Sequence, residues 1–324
     1  MFNKVACIYS HDGFDLDVLL NQKDLLKQFK FSSIISDRII KCDLLIVLRA
    51  DLKTFPLEEL TSETVSQVLF IDYSGQDIHK VFFQSLHPNK YLITSKQDLV
   101  GENIFFGFPY VSLERWIDNS QKSISEEQLN FVHIGNYKSN SKNDSLIEHF
   151  NNVILQTGAI VFGFGWEKII PVKNYMGAIK VEDVSKIYSK SKFALGIKHP
   201  FQRGNAISGR YWHATLNGCF LLTEDSYLQD LIPGIKSISY DENFDLNFLL
   251  GQSHDKEIIK NQAFEFWQNS NKLQYEIVNR DIQEIKKNFF TVIDYLYLLA
   301  KAKLYLLLKD RKRIIISFFK RKSK

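Results

Sequence analysis

Apolar residues along this chain fall into short solid runs separated by longer stretches of mixed polarity. Lys4 to Ser10, Asp43 to Leu48 and Val68 to Asp72 are almost wholly apolar. Runs of this length without alternation suit strands buried on both faces. Between the first two, Val18 to Phe29 repeats its apolar positions at helical spacing. Val81 to Ser85 and Lys90 to Thr94 are weaker strand candidates. Strands separated by helix-length segments predict a parallel sheet with helices on both faces.

A polar run, Asp118 to Glu127, interrupts the pattern, which then restarts. Strands are predicted at Asn130 to Asn136, Ala159 to Phe164, Gly177 to Ile179, Phe193 to Ile197, Cys219 to Leu222 and Ser237 to Tyr240. Helices are predicted at Ser145 to Thr157, Val181 to Tyr188 and Tyr211 to Leu216, the last ended by Gly218, with more helix from Asp245 onwards. The expected organisation is an α/β chain with a first domain at 1–117, a linker at 118–129, a second domain at 130–285 and a tail at 286–324.

The chemistry concentrates where the fourth predicted strand of the second half, Phe193 to Ile197, ends. Lys198, His199, Arg203, Asn205, Ser208, Gly209 and Arg210 lie between an apolar strand and the helix beginning at Tyr211. Ligands of open α/β sheets sit beyond the carboxyl ends of the strands, so these residues are placed to meet an anion. Asn205 or Ser208 is expected to cap the helix, whose free N–H groups attract phosphate. In the first half, His11 and Asp12 follow the first strand and are candidates for a general base; the same residues read equally well as a turn and helix cap. His133, inside an apolar run, is expected to be a core residue.

Composition narrows the function. With 324 residues and 45% hydrophobic content the chain can bury a full core. Cys7, Cys42 and Cys219 lie in apolar runs, without metal spacing or a disulfide framework, as expected in a reducing compartment. The histidines lack ligand spacing, so no metal is expected. There is no Walker phosphate loop and no GxGxxG fingerprint. Met1 to Lys4 leads straight into a strand, without a signal peptide, so a cytoplasmic protein is expected. Charge is uneven. The net is +4, yet Lys301 to Lys324 holds ten Lys/Arg and one Asp, which leaves the body mildly acidic. Phe289 to Leu308 is apolar but is broken by Asp294, Lys301 and Lys303, charges costly within a bilayer. Ile314 to Phe319 then lies between Lys309 to Arg313 and Lys320 to Lys322. The tail reads as a basic amphipathic helix for an anionic membrane surface. The acidic body argues against nucleic acid as a partner.

Phe131 to Asn136, Phe162-Gly163-Phe164-Gly165-Trp166, Ile187 to Ile197, Ser208-Gly209-Arg210 and Gly218 to Thr223 resemble the carboxyl half of the spore-maturation-type glycosyltransferases. The resemblance spans about Asn130 to Tyr240 and implies the GT-B fold: two facing Rossmann-like domains with a cleft between them. It implies a nucleotide-sugar donor in the second domain, an acceptor in the first and no required metal or other cofactor. Ser208, Gly209 and Arg210 would face the donor diphosphate, with Lys198, His199, Arg203 and Asn205 beside them. Gly135 and Asn136 would form the first donor loop, and Thr223 and Glu224 would lie near the sugar and ribose. His11, Asp12 and Arg210 are the catalytic candidates. Many relatives carry a Glu near Trp212 or His213, which this chain lacks. A fainter likeness, through Lys192 to Gly196, is to the alpha-1,3-fucosyltransferases, whose Glu-Asn-Ser and Thr-Glu-Lys elements are absent. The expected function is a metal-independent glycosyltransferase on the inner membrane face, building a polysaccharide or using a lipid-linked acceptor. The alternatives are a fucosyltransferase-type inverting enzyme using GDP-fucose and a non-catalytic nucleotide- or glycan-binding module.

Overall fold

The apolar runs pair into two separate sheets, each wholly parallel. The computed structural model describes residues 4–11, 16–73, 78–119, 129–137, 144–197, 207–237, 251 and 255–279. In the first sheet are β1 (Val5–Ser10), β2 (Lys30–Ile35), β3 (Cys42–Arg49), β4 (Val65–Asp72), β5 (Lys90–Thr94) and β6 (Ile104–Phe106), in the order β2-β1-β3-β4-β5-β6. The helices α1 (Leu16–Leu25), α2 (Ile78–Gln84) and α3 (Leu113–Trp116) accompany it. β3 and β4 are the bare apolar runs of the sequence, and their central side chains are buried. Beside them Tyr9, Phe55, Phe70 and Phe82 form a chain of tilted and edge-on rings, with Tyr9–Phe55 centroids 4.7 Å apart, the arrangement ring quadrupoles favour.

The second sheet has β7 (Leu129–Ile134), β8 (Ile160–Phe162), β9 (Ser191–Leu195), β10 (Phe220–Thr223) and β11 (Ile235–Ser237), in the order β11-β10-β9-β7-β8. Its helices include α4 (Asp144–Thr157), α5 (Val184–Ser189) and α6 (Arg210–Thr215). Register places Phe131, Phe193 and Phe220 side by side on β7, β9 and β10. Their rings stack at 4.9 and 6.3 Å, and this ladder anchors the core of the sheet.

The long helix α7 (Lys256–Val278) serves both sheets. Asp255 caps it, its side chain accepting from Ile258 N at 3.1 Å. Lys256 Nζ donates to Ser189 O and Trp267 Nε1 to Thr215 Oγ1, both in the second half. Further along, Asn271 bonds both the N–H and the carbonyl of Val111, Gln274 donates to Phe108 O, and Gln67 donates to Ile277 O.

Three expectations are corrected, and the strand at Lys30 to Ile35 is one the hydrophobic pattern did not predict. Val81 to Ser85 belongs to α2: Ile78, Val81 and Phe82 are buried on one helical face while Phe83 is exposed. Lys30 to Ile35 is an edge strand whose alternating exposure hid it. Gly177 to Ile179 forms no strand, because Gly177 turns at φ +81° after Tyr175 makes a single bridge to Val161. The last strand is Ile235–Ser237, slightly earlier than expected, and residues 238–240 lie outside the described residues, as do 280–324.

Candidate active site

In the second sheet the chain leaves β7 for β8 on one side and returns as β9 on the other. Such a switch of direction opens a crevice beyond the strand ends. Gly135 and Asn136 follow β7 there. Arg210, the first residue of α6, reaches back over β7: its Nε donates to Ile134 O at 2.7 Å and its Nη1 to Ser208 Oγ at 3.2 Å. The guanidinium lies so close to Gly135 that a Cβ on that residue would meet it. A second glycine supports the first. Gly163, at φ +132°, is packed against the Gly135 carbonyl where no side chain fits. Trp166 Nε1 donates to Gly135 O at 2.6 Å and Phe164 N to Asn136 Oδ1 at 2.9 Å. The loops after β7 and β8 are thereby locked together, and Phe164 at their tip is 63% exposed.

Three contacts join this region to the carboxyl ends of the first sheet. Ile207 N donates to Tyr73 O, just past β4, at 2.8 Å. The Asp17 carboxylate, in the first turn of α1, packs on Gly209 and lies 3.6 Å from His213 Nε2. Tyr227, after β10, lies beside Ser95, after β5. Trp116 braces the junction. Its ring lies 4.2 Å from that of His213, its Nε1 donates to Asn21, and its carbonyl accepts from Ser185 and Asn217.

Arg210 sets the local electrostatics. Burial, reinforced by the Arg210 charge, pushes His213 down to about 3, so a neutral ring approaches Asp17. The same two causes hold His133 well below the ordinary histidine range. His133 is a core residue whose Nδ1 donates to Leu195 O at 2.9 Å. Among the described residues no group of His, Cys, Asp and Glu is arranged to hold a metal ion.

Of the residues singled out from sequence, Gly135, Asn136, Ser208, Gly209 and Arg210 come together at this crevice. Glu224 is half-buried in the loop after β10. His11 is exposed just past β1, on the other sheet. Asp12, Lys198, His199, Arg203 and Asn205 lie outside the described residues. Two roles are corrected. Ser208 does not cap α6, since the N-cap Gly209 has no side-chain bond and the Ser208 hydroxyl accepts from Arg210. Thr223 is fully buried, its hydroxyl donating to Asp225, which also binds Tyr211, so it holds the loop from inside. At the positions where the resemblance expected a Glu, Trp212 is buried against Trp267 and His213 is half-buried against Trp116. Sequence reading missed Asp17, Tyr73 and Tyr227. Their contacts join residues far apart in the chain, and only Asp17, an acid in a helix's first turn after a strand, left any trace.

Residues 143–287 match the family model described as glycosyl transferase-like. No curated protein matches the chain. The Anabaena protein Alr3699/HepE, solved in complex with UDP, aligns at TM-score 0.54 and 10% identity, over 85% of this chain and 99% of its own. T4 phage BGT, solved with UDP and Mn2+, aligns at TM-score 0.48 and 12% identity, over 88% of this chain and 99% of its own. The two-sheet fold is GT-B, and the match of residues 143–287 to a glycosyl transferase-like family model agrees with the enzyme class expected from the sequence.

Proposed function

We propose that the chain transfers a sugar from a nucleoside diphosphate sugar, UDP-sugars first among those to test, to a glycan acceptor. The observation that carries this reading is the seat of Arg210, held over Gly135 by Ile134 O and Ser208 Oγ. As the glycosidic bond breaks, its electron pair leaves with the diphosphate. A guanidinium fixed in advance neutralises that charge without reorganising. The sugar passes through an oxocarbenium-like state, and the attacking hydroxyl loses its proton to a base of the first half. Asp17, packed on Gly209, is the carboxylate best placed for that role, ahead of His11. Arg210 supplies the charge a metal would otherwise supply, so a metal-independent reaction is proposed. The finer assignment is to the spore-maturation-type enzymes, with a surface polysaccharide or a lipid-linked glycan as acceptor. The basic tail would bring the cytoplasmic protein to the inner face of the membrane.

Nucleotide release from a panel of UDP-, GDP- and CMP-sugars tests the core reading. Slow release from one donor, unchanged by EDTA and lost in Arg210→Ala, supports it. Tight nucleotide binding without release from any donor would make the chain a binding module. Co-sedimentation with anionic liposomes, for the full chain and a version ending at Asp310, tests the tail; equal behaviour removes the membrane role.

A further inference from the structure

The second sheet ends at β8, and the segment that follows β8 runs back along its outer side. Tyr175 bridges to Val161, Met176 N donates to Val161 O at 3.0 Å, and Gly163 N donates to Gly177 O at 2.9 Å. The inward side of this segment fills the core. Trp166 and Ile170 are buried with Phe131 and Phe193, and Asn174 Nδ2 donates to Ala159 O at 2.9 Å. Outward it shows Phe164, just past β8, then Val172, 86% exposed in the turn Val172–Asn174, and Met176, 56% exposed. A single exposed apolar residue is ordinary, but three along one rim, over a core already closed without them, mark an interaction surface.

Charge identifies the partner. Between Phe164 and Val181 the chain carries Lys168, Lys173 and Lys180 against one acid, Glu167. All three lysines are exposed. Glu167 accepts from the Tyr175 hydroxyl at 2.9 Å, and Lys180 meets Glu182, beyond the segment, at 3.8 Å with both side chains open to water. Lysines interleaved with aliphatic side chains fit an anionic bilayer. The apolar groups enter the boundary between headgroups and acyl chains, and the ammonium groups meet the phosphates. Other occupants fit worse. A second copy would set lysine against lysine, and the stretch 301–324, with ten Lys/Arg and one Asp, has the same sign. Val172 and Met176 offer no ring face on which a base or sugar could stack.

We propose that the rim of Phe164, Val172 and Met176, with Lys168, Lys173 and Lys180, is a docking surface for an anionic phospholipid bilayer, separate from the basic tail. Phe164 N is bonded to Asn136 Oδ1 beside the donor crevice, so docking sets that crevice at the lipid surface. The inference goes beyond the transferase reading and does not depend on it.

It is tested on the full chain with an environment-sensitive dye at Val172→Cys or, as a control in the first half, at Val100→Cys, where the native side chain is also exposed. Cys7, Cys42 and Cys219 are buried, so the dye goes to the introduced thiol. With vesicles of phosphatidylglycerol and phosphatidylcholine, the dye at Val172→Cys should shift to the blue and be quenched by a quencher on the lipid chains. The dye at Val100→Cys should do neither, and vesicles of phosphatidylcholine alone should give no shift. Adding Lys168→Gln and Lys173→Gln should raise the vesicle concentration that gives half the shift by about tenfold or more. Met176→Cys supplies the same readout if Val172→Cys fails to fold. Sedimentation with the vesicles while the dye at Val172→Cys stays unshifted overturns the proposal and assigns attachment to the tail. Equal shifts at both positions overturn it, as does the absence of any binding to the vesicles. A shift that grows with protein concentration in the absence of vesicles also overturns it, by identifying a second copy as the occupant.

Discussion

Arg210 is bonded through Nε to the carbonyl of Ile134, the residue that ends β7, at 2.7 Å. One planar side chain thus joins the start of α6 to the end of a central strand. Arg210→Lys keeps a charge but loses the fork, and Arg210→Ala loses both. Donor turnover should fall about 10²-fold or more in Arg210→Ala, with Arg210→Lys between, the usual cost of removing a preorganised charge partner. Steady-state release of nucleotide measures it, and turnover within threefold of wild type would remove Arg210 from the chemistry.

The glycines beneath Arg210 allow a separation of site from stability. Gly135→Ala places a methyl where the guanidinium rests, so donor turnover should fall to near the level of Arg210→Ala. Gly163→Ala adds strain at φ +132° and a clash with the Gly135 carbonyl. It should cost on the order of 1–3 kcal/mol and lower the melting temperature by several degrees. Thermal denaturation and nucleotide release on both variants check the pair.

Asp17→Asn keeps the shape of the contact with Gly209 but removes the proton acceptor. Transfer to the acceptor should drop by roughly 10²–10⁴-fold, with nucleotide affinity held. A loss smaller than threefold would turn attention back to His11.

His213 makes the fold acid-sensitive. It is held neutral, with its folded value pushed down to about 3 from an ordinary 6.5. The unfolded chain therefore binds the extra proton first. The stability His213 contributes is fully present above pH 6.5 and is lost as pH falls toward about 3, with a slope of up to about 1.4 kcal/mol per pH unit. Urea titrations between pH 7 and 4 should show this slope, and His213→Gln should flatten it relative to wild type.

The fold was legible wherever burial was two-sided. The cores of β3 and β4 announced themselves because no polar face interrupts Leu44 to Leu48 or Val68 to Ile71. Lys30 to Ile35 did not, since an edge strand keeps Ser32 and other polar residues that read as loop. α2 was misread because seven residues with a Val-Phe-Phe centre look like a strand until Ile78 is counted into their period. At the site, Ser208-Gly209-Arg210 was legible from its position between a strand and a helix. Asp17 was not, because its significance lies in its contact with Gly209, and nothing local in the sequence encodes a pairing across nearly two hundred positions.

The helix α7 sets a limit on how this chain can be taken apart. A fragment ending near Asp118 would leave the carbonyl of Phe108, the amide and carbonyl of Val111 and the Gln67 side chain to water, because residues past 270 supply their partners. The first half therefore gains its last polar partners only once α7 has been made, and a ribosome releasing only the amino-terminal portion would yield a body with an open seam.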